Sequence, residues 1–286
     1  MLIDKILTSL RCGKHMLDTS SPVVMGIYNV TPDSFYGPSR NLNDPENTVA
    51  IASKMVEDGA RIIDVGGMST QPGAEEITSN EEMDRVIPVV TKLAQNFPET
   101  IISIDTYRSE VAKAAIDAGA TMVNDISGGS LDNNLLDVVA SHEVAYVLMH
   151  MRGNPNNMQT MTDYQDIIRD LLKYFVNKLR VIHHKGIKEI IIDPGFGFAK
   201  TMDQNYLIME NLNTFQFLGH PLMIGISRKS TLTKTIGRPV EETLDATTAL
   251  HMAALMKGAK ILRVHDVKPA MDTIAVYNKL REAKIH

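Results

Sequence analysis

Gly59-Ala60-Arg61-Ile62-Ile63-Asp64, Gly119-Ala120-Thr121-Met122-Val123-Asn124 and Gly258-Ala259-Lys260-Ile261-Leu262-Arg263 are three copies of one pattern. Each is a Gly-Ala pair, a short apolar run and a polar residue at the end of the run. A looser copy runs from Gly186 to Asp193. Glycine adopts the left-handed conformation that stops a helix. A near-continuous apolar run suits a parallel strand buried on both faces. The four glycines are separated by 60, 67 and 72 residues, which is too long for one βα unit and right for two. Four double units predict eight strands and a (β/α)8 barrel, an α/β fold.

Outward from these copies, the other strands fall into place. The eight runs are Val23–Tyr28, Arg61–Val65, Ile101–Ile104, Thr121–Val123, Val144–Met149, Glu189–Ile192, Leu222–Ile226 and Lys260–Leu262. The segments between them carry helix starts: Asp44 before Pro45, and capping-box spacing at Ser79 with Glu82 and Thr162 with Gln165. A doubly wound open sheet is the alternative. It normally has fewer strands, and no Gly-x-Gly-x-x-Gly follows the first run. No linker divides the chain. We expect a barrel over residues 22–286 and an extension over 1–21. The extension turns at Cys12-Gly13-Lys14 between Ile6–Leu10 and His15–Leu17, a hairpin placed to plug one end.

Composition agrees. A chain of 286 residues fits one such barrel, and 44% apolar residues exclude disorder as the main state. With 29 Lys and Arg against 34 Asp and Glu, the net charge of -5 gives no general pull on nucleic acid or an anionic membrane. Any phosphate must be held by a local site. Cys12 stands alone, which excludes a disulfide framework and a Cys-rich zinc cluster, so a reducing, cytoplasmic location is expected. No run is long enough to span a membrane. Met1–Leu10 carries Asp4 and Lys5 and lacks the layout of a signal peptide.

Barrel active sites form at the C-terminal ends of the strands. Nearly every run here ends in a polar or ionisable group, and their convergence is stronger than any single one. Asn29 offers an amide oxygen to a hard cation such as Mg²⁺ shared with phosphate, or else forms an Asx-turn. After Asp64, the paired Gly66-Gly67 let the backbone approach a ligand, and Ser69 and Thr70 offer hydroxyls and N–H groups to phosphate. Asp105, Asn124, Asp125 and Asp193 suit a nitrogen-rich heterocycle, because carboxylates accept from ring N–H while Asn both donates and accepts. The plainer readings are helix caps and, at Asp193-Pro194-Gly195, a turn. Paired carboxylates also suit glycoside hydrolysis, but Trp is absent and sugar-binding aromatics are scarce.

Phe196 and Phe198 wall a flat ligand or join the core. In an extended segment Ser227 and Lys229 point one way and Arg228 the other, which turns Lys229 to the mouth; the alternative is a solvated basic turn. In Arg263-Val264-His265, the first and third side chains share a side and jointly suit a phosphate. The alternative for Arg263 is an ion pair with Asp266. His183 and His184 read as solvated, and no His-x-x-x-His pairing with Glu appears, which disfavours a zinc hydrolase. Most of the 17 methionines read as core fillers, with Met149 and Met151 beside His150 near the mouth.

The segments Asn29–Phe35, Asp64–Gly73, Ser103–Thr106, Asn124–Gly128, Asp193–Lys200, Ser227–Ser230 and Arg263–Val267 closely resemble the signature segments of dihydropteroate synthases, in order and one per strand end. The resemblance implies a cytoplasmic, usually homodimeric TIM barrel that joins 6-hydroxymethyl-7,8-dihydropterin diphosphate to 4-aminobenzoate in folate synthesis. Sulfonamides compete with the aminobenzoate. It implies Asn29 as the Mg²⁺ ligand, and Thr70, Arg263 and His265 as diphosphate contacts, with Val264 between the last two. Asp105, Asn124, Asp193 and Lys229 become the pterin set, beside Phe198. Phe35, Pro72 and Ser230 border the aminobenzoate. Asp105, Lys229, Arg263 and His265 carry the chemistry.

Two positions depart from many relatives: Met68 stands where Glu is frequent and Gln71 where Arg is frequent. Gln71 lacks the cationic fork, so a weaker hold on diphosphate or on loop closure, or compensation elsewhere, is expected. Pro38 also replaces a more flexible Gly-rich stretch after Phe35. Two other readings remain at this point. A pterin-binding methyltransferase barrel would share the carboxylates but not the diphosphate set. A non-catalytic pterin-binding barrel would bind without turnover.

Overall fold

The computed structural model of the chain describes residues 7–30, 45–69 and 76–283. After a two-stranded antiparallel hairpin, β1 (Ser9–Cys12) and β2 (His15–Asp18), eight parallel strands close into a barrel. In chain order they are β3 (Val23–Asn29), β4 (Ile62–Gly66), β5 (Ile101–Asp105), β6 (Met122–Asp125), β7 (Ala145–Met149), β8 (Ile190–Asp193), β9 (Leu222–Ile224) and β10 (Ala259–Val264). The last strand pairs with the first, Arg263 opposite Met25. Closure leaves no sheet edge, and the eight expected strands are the eight observed.

The near-continuous apolar runs follow from two cores that share each strand. Residues facing outward, such as Val24, Ile63, Ile104, Val123 and Leu262, pack under the helices. Those facing inward, Met25, Ile62, Ile101, Met122, Val147, Ile191, Met223 and Ile261, fill the lower barrel. The hairpin completes this second core: Leu10, Cys12 and Leu17 join the same cluster, and Arg11 N–H donates to Glu189 Oε2 at 3.0 Å. Its turn is tighter than expected, at Gly13-Lys14, with Cys12 ending the first strand.

The repeat glycines do stop helices. Gly59, Gly119, Gly186 and Gly258 all have positive φ, each two residues past the helical segment before it. Two helix starts differ from expectation. The helix over Ser79–Asn96 is capped one residue earlier, by Thr78 with Glu81. The helix over Ile167–His184 is capped by Asp166, which accepts from Arg169 N–H, and not by Thr162. A helix over Pro45–Glu57 follows β3 as expected, while Asp44 lies outside the described residues.

Candidate active site

One step up each strand from the apolar layer, the inward side chains become polar. Asp64 stands two residues beyond Ile62 on β4, Asp105 ends β5, Asn124 lies on β6, Asp193 ends β8 and Arg263 lies on β10. Pleating puts them on the same inner face as the core residues below. Asp64 is the hub. Its Oδ2 accepts from Asn124 Nδ2 at 2.8 Å and from Arg263 Nε at 2.6 Å. Arg263 Nη2 donates to Asp105 Oδ2 at 2.6 Å. Asp64 is fully buried, and its Oδ1 has no hydrogen-bond partner. A carboxylate only accepts, so it orients the Asn124 amide with nitrogen inward and leaves the amide oxygen for a ligand. Arg263 has five N–H donors, and these contacts use two of them.

Burial pushes the Asp105 carboxyl up to about 7, against the pull of Arg263 and with help from Asp64. Asp64 and Asp105 together hold Arg263 firmly protonated although it is buried. Asp193 is pushed up by burial and pulled back by Lys229. Its Oδ1 accepts from Gly195 N–H at 2.7 Å, so the turn expected there exists as well. Lys229 donates to the Phe196 carbonyl and lies 4.6 Å above the centre of the Phe198 ring. Burial lowers its pKa to about 8. His265 bonds through Nδ1 to Ser227 Oγ at 3.1 Å, and burial beside Arg263 lowers its pKa to about 4.

Several expectations need correction. The Ser227–Lys229 segment is a turn and not extended: Arg228 has φ 55° and pairs with Asp266 through two 2.7 Å bonds. Lys229 still reaches the mouth. Arg263 reaches across the mouth to Asp64 and Asp105, while His265 bonds to Ser227. The Val264 side chain is fully buried in the outer core, which leaves only its backbone to meet a ligand. Met149 and Met151 are buried in one cluster, against which the half-buried Phe198 packs. Asp125 is buried as an acceptor for Tyr146 Oη at 2.7 Å and for Ser127 and Gly129 N–H. Gly67 serves packing: a Cβ there would lie 2.6 Å from Val86 Cγ1. Ser230 is exposed at the start of the helix after Lys229. Phe35, Pro38, Thr70, Gln71, Pro72 and Gly73 lie outside the described residues.

Asn29 ends β3 with its side chain exposed. Its Oδ1 and Asp105 Oδ2 lie 3.6 and 3.7 Å from the point a Cβ on Gly66 would occupy, so both oxygens border one gap. Among the described residues no three His, Cys, Asp or Glu side chains converge as a metal cage. One or two hard oxygens beside open space fit Mg²⁺ that keeps its waters and shares a phosphate, and do not fit a structural zinc.

A closed parallel barrel whose mouth joins three carboxylates, an amide and two cations defines a barrel enzyme for a polar, nitrogen-rich ring. Residues 25–265 match the family model described as pterin binding enzyme. A dihydropteroate synthase of Synechocystis sp. is 45% identical over 248 residues, 86% of this chain and 85% of the relative. The Yersinia pestis dihydropteroate synthase in a sulfonamide drug complex superposes with TM-score 0.91 at 36% identity, covering 96% of this chain and 99% of that one. The Xanthomonas albilineans dihydropteroate synthase with 4-aminobenzoic acid gives TM-score 0.88 at 36% identity, covering 96% and 98%. The chain belongs to the dihydropteroate synthase family and is a transferase.

The residues that sequence reasoning undervalued are Asp64, Lys200 and Ser227. Asp64 was visible as one strand-end acid among several. Its partners, Asn124 and Arg263, lie far along the chain and meet it only when the barrel closes.

Proposed function

We propose that the barrel mouth condenses 6-hydroxymethyl-7,8-dihydropterin diphosphate with 4-aminobenzoate to give 7,8-dihydropteroate and diphosphate. The observation that carries this reading is the Asp64-centred network with Asp193 and Lys229 beside it. The ring N–H and amino groups of a pterin need acceptors, which Asp193 and the Asn124 oxygen supply. Lys229 donates to the ring's carbonyl and nitrogen acceptors.

The leaving diphosphate lies toward Asn29, Arg263 and His265. Asn29 Oδ1 would hold Mg²⁺, with Asp105 bordering the same gap, and the ion would offset the charge of the departing diphosphate. His265, neutral at pH 7, contributes an N–H and no charge. As the C–O bond breaks, positive charge spreads from the CH₂ carbon into the electron-rich ring. Asp105 lies at the mouth to stabilise it. The neutral arylamine then attacks, needs no base beforehand, and gives up its proton to diphosphate or solvent once the C–N bond has formed. Ser230, with Phe35 and Pro72, would border the aminobenzoate, and Thr70 would meet the diphosphate.

We also infer a homodimer in the cytoplasm. Val276 and Leu280, one turn apart on the last helix, are 55% and 48% exposed, a face that a second copy would cover. No described helix is long and apolar enough to cross a membrane. The residue assignment is tested by titrating pterin diphosphate into Asn124→Leu and Asp193→Asn. Both should lose at least tenfold in pterin affinity while remaining folded; unchanged affinity in both would remove the assignment.

A further inference from the structure

Below the pterin set lies a buried ammonium that the chemistry above does not use. Lys200, 5% exposed, ends the loop after β8 and turns its Nζ back under that loop. It lies 2.9 Å from the Gly195 carbonyl, 2.8 Å from the Phe198 carbonyl and 3.1 Å from His150 Nδ1, with the His150 carbonyl at 3.3 Å. Three short contacts match the three N–H donors of an ammonium, and they work against the burial that pulls the Lys200 pKa well below the usual lysine value. His150 must then accept through Nδ1 and is neutral. Its ring is fixed edge-on to Tyr174 at 4.7 Å, and Tyr174 Oη donates to the Met149 carbonyl at 2.9 Å. The approach is tight: a Cβ on Gly195, at φ 73°, would overlap the His150 carbonyl oxygen.

What these carbonyls belong to gives the ammonium its task. Gly195 N–H donates to Asp193 Oδ1. Phe196 offers its carbonyl to Lys229, and the Phe198 ring lies under the Lys229 ammonium. Gly197 N–H is held from outside by Asn205 Oδ1 at 2.8 Å. The loop is therefore pinned at Gly195 and Phe198, two of the residues that meet Asp193 and Lys229. A buried charge with no packing partner would be costly; here its partners are all on the two loops that frame the pterin set.

We propose that Lys200, seated on His150, is a positioning residue for the pterin subsite: it ties the loop after β8 to the loop after β7 so that Asp193 and Lys229 stay aimed at the ring. The inference rests on the reading that Asp193 and Lys229 hold the pterin.

Lys200→Met keeps an unbranched side chain one atom shorter and removes the donors. We expect pterin diphosphate to bind at least tenfold more weakly, with its KM raised alike, while the KM for 4-aminobenzoate stays within twofold. A role in stability alone would lower the active fraction and Tm and leave both KM values in place. The second pair of variants guards against misfolding. His150→Gln keeps an acceptor for Nζ and should retain pterin affinity, whereas His150→Leu should lose it as Lys200→Met does. Asp193→Asn serves as the control for the underlying reading. If Asp193→Asn loses pterin and a folded Lys200→Met binds it like the wild type, the positioning role is wrong and the subsite stands. If Lys200→Met does not fold, equal affinities in His150→Gln and His150→Leu refute it. If the wild type itself binds no pterin diphosphate, both readings fall.

Discussion

Arg263 Nη2 and Asp105 Oδ2 are 2.6 Å apart, joined across the barrel mouth from β10 to β5. The same guanidinium holds Asp64 through Nε, so one cation closes the ring of inward acids. Removing it strands two carboxylates. Arg263→Met should destabilise the fold by about 3–5 kcal/mol, the usual cost of breaking a buried pair from one side. Adding Asp64→Asn should return part of the stability and none of the turnover. Urea unfolding of the three proteins checks this, and a fully stable Arg263→Met would mean that the contact contributes nothing.

Lys229 sets the basic limb of activity. With its pKa lowered to about 8 by burial, the ammonium loses its charge as pH rises through that value. Pterin affinity should fall above pH 8. Stability should move in the opposite direction. The group's folded pKa lies below its unfolded value of about 10.4, so the unfolded chain binds more protons in that window and stability rises with pH. A binding loss between pH 8 and 10 without loss of structure, read by calorimetry and circular dichroism together, is the expected pair of results.

Acid should undo the fold through histidines that are buried neutral. Burial lowers His150 to about 2 and His251 to about 4. Below about pH 6.5 the unfolded chain takes up protons that the native state refuses, and each such group costs about 1.4 kcal/mol per pH unit until its folded pKa is reached. Stability should therefore fall steadily from pH 6.5 to 4. His251→Gln should flatten that slope by roughly one histidine's share; an unchanged slope would place the acid sensitivity elsewhere.

The hairpin plug should matter to stability and not to chemistry. Leu10 is fully buried, and Leu10→Ala should cost about 2–5 kcal/mol. It sits among the lower-barrel side chains, away from the mouth, so kcat below the new Tm should stay near wild type. Cys12 in the same cluster has its thiol pushed up to about 12 by burial and by Glu189. Iodoacetamide should leave it unmodified until the protein is unfolded, which mass spectrometry reads directly.

The barrel was legible because its signal is repeated. Four Gly-terminated helices and eight apolar runs each report the same architecture, and closure follows from strand count. Helix starts were less legible: Thr78 with Glu81 and Ser79 with Glu82 offer the same spacing one residue apart, and only backbone geometry selects the first. At the site, strand ends showed which residues face the mouth but not which of them bond to each other. Asn124 and Arg263 both converge on Asp64 because β4, β6 and β10 are brought to one level by strand register, which no local pattern records. Lys200 enters the sequence reading only as the last residue of the segment Asp193–Lys200. Lysine is usually exposed, and nothing in its neighbours along the chain announces that its amine turns inward to three carbonyls and an imidazole.

The measurement that tests the central claim most directly is product formation from 6-hydroxymethyl-7,8-dihydropterin diphosphate and Mg²⁺, with and without 4-aminobenzoate, identified by mass. The account predicts 7,8-dihydropteroate and diphosphate in equal amounts, dependent on the aminobenzoate. Pterin binding by a folded sample with no product would contradict it.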